Sequence, residues 1–283
     1  MTEGQPVLGV LHPGSMGAAV AACAVSAGAQ VLWCSAERSP ATVRRAGHAG
    51  LEPVAELGEL LERAEVVLSL CPPAAAENVA RDVAELGFAG VYVEGNAISP
   101  ARARRIADLV GRSARSVVDG SVIGSPPVGG KRTKLFLSGP SDAAALVAAL
   151  FSDTAVSTPV LGEEIGQASA LKVSYTAYQK ASRVLAALSY GLAQDHGVDQ
   201  ALLEVAGKRA GSYLTETDYI AKTAARAWRW APEMEEAADT LREAGLPDEV
   251  LRAVAETLRH WTDAKDNCEL SAEGALKLLR ESK

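Results

Sequence analysis

The chain has 283 residues, 48% hydrophobic and 22% charged, enough to bury two domains or one large core. A net charge of −7 and a pI near 5.3 argue against nucleic acid or an anionic membrane as partner. No apolar stretch approaches the ~20 residues of a membrane span.

Four scattered cysteines, Cys23, Cys34, Cys71 and Cys268, lack metal-binding spacing, and the N-terminus MTEGQPVLGV has no basic n-region. The expectation is reduced thiols, no metal site and a cytoplasmic location.

Strand-like runs fall at 7–11 (VLGVL), 30–34 (QVLWC), 66–71 (VVLSLC), 91–95 (VYVEG), 116–122 (SVVDGSV) and 134–139 (KLFLSG). Helical patterns such as AAVAACAVSAGA and AAAENVARDVAELG separate them. Continuous apolar strands alternating with helices predict a doubly wound, mostly parallel sheet covered on both faces.

The first strand runs into GVLHPGSMG at 9–17. Aligned on the dinucleotide-binding turn G-x-G-x-x-G, Gly17 is the third glycine and Gly14 the second, while His12 stands where the first belongs. The glycines nearest the helix N-terminus, where amides and dipole meet a phosphate, are kept. Pro13 restrains the turn through its fixed φ, and Ser15 adds a hydroxyl donor. The loop therefore still reads as a phosphate cradle, with a ligand-free tight turn as the competing reading. His12 is open to either role, phosphate contact or turn structure.

The second strand leads into CSAERSPATVRR. Ser35 stands at its tip, Arg38 and Ser39 follow, and Arg44 and Arg45 come soon after; Glu37, the nearby carboxylate, sits late for ribose. Hydroxyls and arginines suit a 2′-phosphate, which favours NADP over NAD.

From about residue 163 strand signals stop. A helix of roughly 30 residues extends to Gly197, which takes a C-terminal cap position, and Asp199 is expected to cap the next helix. Helices follow at 215–228, 231–245, 247–261 and 271–280. The expected organisation is an α/β domain at 1–162 and an all-α domain at 163–283 that begins with a long interdomain helix. That helix displays Lys172, Tyr175, Thr176 and Gln179 on one face, a polar stripe suited to a half-buried cleft wall.

Five segments, PGSMG (13–17), LSLCPPAAAENVA (68–80), VEGNAISPARARRI (93–106), VVDGSVIGSPP (117–127) and GQASALKVSYTAYQKAS (166–182), occur in the right order along most of the chain. Together they resemble the β-hydroxyacid dehydrogenase superfamily, which includes 6-phosphogluconate dehydrogenases and imine reductases. The stretch RAWRWAPEMEEAADTLREAGLP (226–247) resembles the branch with the domain of unknown function 1932 (DUF1932).

The resemblance implies a Rossmann domain, a helical domain, and a homodimer whose subunits build the active site together. The turn residues Pro13, Gly14, Ser15, Met16 and Gly17 would hold the cofactor. Cys71, Pro72 and Pro73, with Asn96 and Ser99, would line its ribose and nicotinamide side. Lys172 matches the family lysine that acts as general acid or base on the reacting oxygen, its pKa drawn towards ~7–8 by partial burial.

Two departures stand out. Tyr175 and Thr176 replace the usual asparagine, and Tyr175 can share proton transfer. The substrate segment, usually D-A-P-V-S-G-G, reads DGSVIGS here, so Ile123 replaces its serine, with Ser121, Gly124 and Ser125 nearby. A small carboxylate is then held less securely, which points to a bulkier or uncharged substrate. Tyr178, Trp228, Trp230 and Met234 would suit an apolar or aromatic wall for it, from this subunit or a neighbour, and Thr176 and Gln179 would meet it from the polar stripe.

The expected activity is NADP-dependent hydride transfer on a CH–OH donor or its carbonyl, on a small-molecule substrate. An imine reductase and a non-catalytic NADP-binding module are the alternatives.

Overall fold

The computed structural model describes residues 6–208, 211, 213, 216–243 and 245–281. They fall into two compact units, residues 1–177 and 178–283.

The first unit is an α/β sandwich. Its strands are β1 (Leu8–Val10), β2 (Val31–Cys34), β3 (Glu52–Val54), β4 (Val66–Ser69), β5 (Val91–Glu94), β6 (Ser116–Gly124), β7 (Thr133–Ser138), β8 (Val156–Ser157) and β9 (Val160–Gly162). The sheet order is β3-β2-β1-β4-β5-β6-β7-β8, with β9 also on β7. Strands β1 to β6 run parallel and β7 is antiparallel to β6. This is the expected Rossmann sheet, and order reverses between β1 and β4, the switch point where such sheets bind ligands. Strands β3, β8 and β9, each two or three residues long, were not legible in the sequence, because so short a run carries no period.

Alternation along the strands divides the core. Val66 and Leu68, Val91 and Val93, and Val118 and Val122 pack on one face. Val67, Tyr92 and Val117 pack on the other. Helices α1 (Ser15–Ser26), α2 (Pro40–His48) and α6 (Ser141–Ala149) cover the first face through residues such as Val20, Ala46 and Val147. Helices α3 (Leu57–Arg63), α4 (Ala76–Glu85) and α5 (Pro100–Val110) cover the second through Leu60, Val83 and Ile106. Strands buried on both faces read as continuous apolar runs for this reason.

Helix α7 (Gln167–Asp195) follows β9 and ends as expected at Gly197. There φ is +68°, and the Val198 amide returns to the Ala193 carbonyl.

In the second unit come α8 (Asp199–Gly207), α9 (Tyr219–Glu243), α10 (Glu249–Arg259) and α11 (Ala272–Glu281). The structure corrects two sequence expectations here. Asp199 is the first residue of α8 and makes no cap; Val198 holds that position without a side-chain bond. The helices expected at 215–228 and 231–245 are one helix, α9, which runs through Pro232. Pro232 is exposed, while Ala227, Ala231 and Ala238 are buried, so packing of the small-residue stripe outweighs the lost amide. Trp261 anchors this core through its indole N–H, which donates to the Ala275 carbonyl at 2.8 Å.

Among the described residues no helix is long and apolar enough to cross a membrane. Among them too, no cluster of His, Cys, Asp or Glu is placed to hold a metal ion.

Candidate active site

The loops after β1 and β4 enclose a cavity of about 360 Å3 at the switch point. His12, Pro13, Gly14, Ser15, Met16 and Gly17 line one side, Cys71 and Pro72 another, and Arg38 closes a third. Sequence reasoning singled out all nine; Thr42 and Leu70, which also line the cavity, it did not.

The turn works with His12 in the first glycine's place. The Gly14 amide donates to the His12 carbonyl at 2.8 Å, and Gly14 becomes the N-cap of α1 with no side-chain cap. The first-turn amides thus keep their positive end for an anion. A Cβ at Gly14 would meet nothing, whereas one at Gly17 would collide with the His12 carbonyl oxygen. The two glycines therefore differ in job: Gly17 lets the helix close on the turn, and Gly14 leaves the backbone bare towards the cavity.

Arg38 folds back over this turn. Its Nη1 donates to His12 Nε2 (3.1 Å), Nη2 to the Leu11 carbonyl (3.3 Å) and Nε to the Cys34 carbonyl (3.4 Å). Burial and the Arg38 charge push the His12 pKa below its usual value, and His12 Nδ1 is buried without a partner. Arg45 donates to the Pro13 carbonyl at 3.1 Å. Ser35 turns away, its hydroxyl donating to the Val54 carbonyl. These features fit a dinucleotide phosphate: a bare turn, a cationic mouth and an orphaned buried polar atom.

Below the Leu70–Pro73 loop lies a buried clamp. Asn96 Nδ2 donates to Glu94 Oε1 (2.5 Å) and Ser69 Oγ (3.1 Å), while Asn96 Oδ1 accepts from the Cys71 amide (2.6 Å). Both ends of the amide are engaged, so its orientation is fixed and it holds the loop. Asn96 is 2% exposed and Glu94 1% exposed. Burial raises the Glu94 pKa to about 7, although hydrogen bonds from Asn96 oppose the shift. Pro73 opens a 3-10 turn, and Ser99 serves as N-cap of α5, accepting from the Arg102 amide at 3.3 Å.

The start of α7 is captured by a cross-strand pair, Asp119 on β6 and Ser138 on β7. Asp119 Oδ2 accepts from the Gly166 and Ser169 amides, both at 2.9 Å, and Oδ1 from Ser169 Oγ at 2.6 Å. Ser138 Oγ accepts from the Ala168 amide at 3.1 Å, and the Gln167 amide donates to the Glu164 carbonyl. The orphan donors at this end of α7 are thus satisfied largely from two strands, with a carboxylate at the positive end of the helix dipole. Asp119 is fully buried, and desolvation raises its pKa against those hydrogen bonds.

One turn beyond Ser169, Lys172 Nζ donates to the Val122 carbonyl at 2.6 Å. The direction of that carbonyl follows from the sheet. The next one, of Ile123, faces β7 and accepts from Thr133 Oγ1 at 3.1 Å, so the Val122 carbonyl points the other way. On that side β5 pairs with β6 only as far as Glu94 opposite Asp119. The half-buried ammonium therefore sits on the edge β5 vacates, beside the C-terminal ends of the strands that carry the cofactor motifs.

Other predicted residues disperse. Tyr175, 39% exposed, and Ile123 line a separate cavity of about 520 Å3, with Arg132, Lys134, Phe136 and Leu171. Ser121 is buried with an unpartnered hydroxyl. Gly124 ends β6 at φ +136°, and Ser125 is exposed beyond it. Thr176 is half-buried in the first unit.

Gln179, Trp230 and Met234 belong to the second unit. There Trp230 packs on the helical core, and Met234 lines an apolar cavity of about 850 Å3 with Leu185, Leu192, Leu202 and Leu251. Asp119 and Glu94 went unnoticed in sequence, though each is a lone acid inside an apolar strand, a signal that could have found them.

The family model described as the NAD binding domain of 6-phosphogluconate dehydrogenase matches residues 7–162, and the domain of unknown function DUF1932 matches 193–261. An imine reductase from Pseudomonas sp. is 21% identical, with a TM-score of 0.72 and coverage of 97% of this chain and 99% of that one. A reductive aminase from Aspergillus terreus, solved with NADPH and ethyl-5-oxohexanoate, is 17% identical, with a TM-score of 0.71 and coverage of 92% and 94%. A conserved protein of unknown function, described as structurally similar to 3-hydroxyacid dehydrogenases, is 24% identical, with a TM-score of 0.59 and coverage of 91% and 98%. With residues 7–162 carrying that NAD binding domain and a DUF1932 domain behind it, this chain belongs to the 6-phosphogluconate dehydrogenase-like family, in its DUF1932 branch.

Proposed function

We propose that the protein is an NADP-dependent oxidoreductase that interconverts a carbonyl and a hydroxyl group on a small molecule, with Lys172 as the proton donor and acceptor. The observation that carries this reading is the Lys172 ammonium on the Val122 carbonyl, at the edge of β6 that β5 leaves. When bound, the dinucleotide supplies or accepts the hydride.

The chain's own residues do the rest. The Val122 carbonyl, an acceptor, fixes the direction in which Lys172 Nζ points. An ammonium held there stabilises negative charge developing on a substrate oxygen and delivers the proton in reduction; as an amine it takes the proton in oxidation. The first-turn amides of α1 and Ser15 would hold the pyrophosphate, and Arg38 with Thr42 the 2′-phosphate. The Cys71–Pro73 loop, held by Asn96, would flank the nicotinamide.

In this reading 1–162 is the cofactor half and 163–283 the substrate and dimerisation half of a cytoplasmic homodimer. With Ile123 in place of a serine, the substrate is bulkier than a small hydroxy acid.

A second reading, reduction of a C=N bond, draws on the likeness to imine reductase over 97% of the chain and on Tyr175 one turn from Lys172. One screen separates them. NADPH consumption is followed across aldehydes, ketones, β-keto acids and cyclic imines, alongside oxidation of β-hydroxy acids and alcohols with NADP. Turnover of a carbonyl or hydroxyl substrate, lost in Lys172→Ala, supports the first reading. Turnover of imines alone replaces it with the second. Tight NADPH binding with no turnover of any class leaves a non-catalytic module.

A further inference from the structure

We propose that His12 is a positioning residue for cofactor choice: by accepting a hydrogen bond from Arg38 it holds the guanidinium ready for the 2′-phosphate of NADP. The inference rests on the NADP reading above and deepens it.

His12 occupies a position where the dinucleotide turn ordinarily wants glycine, so its side chain needs a reason to be there. The structure supplies one. Arg38 is bound at three points, and two of these, His12 Nε2 and the Leu11 carbonyl, lie on the phosphate turn itself. The third, the Cys34 carbonyl, is the end of β2, where the adenosine ribose lies in such folds.

Arginine only donates, so the bond to Nε2 requires a neutral imidazole with its proton on Nδ1. Burial and the Arg38 charge both favour that neutral form. Three of five guanidinium N–H groups are used in these contacts, and Nη1 and Nη2 each carry a second N–H for a phosphate oxygen. A long, flexible cation loses much rotamer freedom on binding; one already tied down loses less. With glycine at position 12, Arg38 would keep only its backbone contacts.

The test is equilibrium binding of NADPH and NADH, followed by protein fluorescence, to wild type, His12→Gly, His12→Gln, Arg38→Ala and the double variant H12G/R38A. A charged hydrogen-bonded contact predicts about a 30-fold loss of NADPH affinity in R38A and about tenfold in H12G. H12Q, whose Oε1 can stand in for Nε2, recovers most of that loss. H12G adds nothing to R38A, and NADH affinity changes less than about twofold throughout.

Equal losses for NADH and NADPH in H12G make His12 a turn-shaping residue and overturn the proposal. So does an additive double variant, which would mean that His12 meets the phosphate itself. Wild type that binds NADH as tightly as NADPH overturns the NADP reading, and this proposal with it. Wild type that prefers NADPH while H12G is unchanged sinks the role of His12 alone.

Discussion

The phosphate turn and the lysine site are built in opposite ways. Residues 12–17 are consecutive, and their job is done by backbone: a chain without a side chain at Gly14, a close approach at Gly17, a carbonyl at His12. The lysine site draws on residues far apart in sequence, with Asp119 meeting Ser169 and Lys172 meeting Val122 across fifty positions. A local device tolerates changes that keep the chain's conformation, whereas an assembled one fails when any supporting contact goes.

That contrast is open to direct attack. The largest effect is expected at the assembled site. Lys172→Ala should cut turnover by ~100-fold or more while NADPH affinity stays within about twofold, in single-turnover kinetics and binding titration. Full turnover would move the proton to another group and dissolve the lysine site as a unit.

Asp119→Ala, which strips acceptors from four buried donors (the Gly166 and Ser169 amides and the Ser138 and Ser169 hydroxyls), should cost about 3 kcal/mol of stability in denaturant unfolding. It should also lower kcat more than NADPH affinity, because α7 is no longer registered on β6; Asp119→Asn, which keeps one acceptor, should recover part of both. Loss of stability with kcat intact would show that the cap serves the fold alone.

Gly17→Ala tests the local device. The collision with the His12 carbonyl should cost about 2 kcal/mol and weaken NADPH and NADH together. A cofactor-selective loss would contradict the division of labour between the turn and Arg38.

The smallest effect concerns the clamp beneath the loop. Glu94 titrates at about 7 in the fold against 4.5 for an ordinary carboxyl, so the folded state binds its proton more tightly. The stability it contributes is full below pH 4.5 and is lost as pH rises through 7. Glu94→Gln, isosteric and neutral, should therefore gain on wild type between pH 5 and pH 8, on the order of 1 kcal/mol or more in thermal melts. A gap that does not change with pH would mean that Glu94 keeps its proton throughout.

The parallel sheet was readable from the chain because strands such as VVLS and VYVE, buried on both faces, appear as runs that are apolar but for their last residue. The tight turn into α1 was readable because glycine spacing encodes backbone geometry directly. Reading failed where packing overrules a local signal. The pattern divided this stretch into two helices between 228 and 231, yet buried alanines carry α9 through that point and through Pro232. Ser35 and Ser99 read as cofactor hydroxyls, and the sequence did not show that Ser35 donates to the Val54 carbonyl or that the Ser99 oxygen caps α5. Side-chain hydroxyls satisfy whichever partner the fold brings first, and that choice leaves no mark in sequence.

Period, glycine spacing and residue type alone thus determined the α/β order, the site of the tight glycine turn and the presence of one lysine on a polar helix face. Only tertiary structure decided that Asp119 and Ser138 capture the start of that helix, that Lys172 meets the one edge of β6 left by β5, and that His12 is tied to Arg38. The reason is physical. Backbone conformation is set by near neighbours, while the direction of a charge is set by whatever distant donor or acceptor folding places within hydrogen-bonding distance of it.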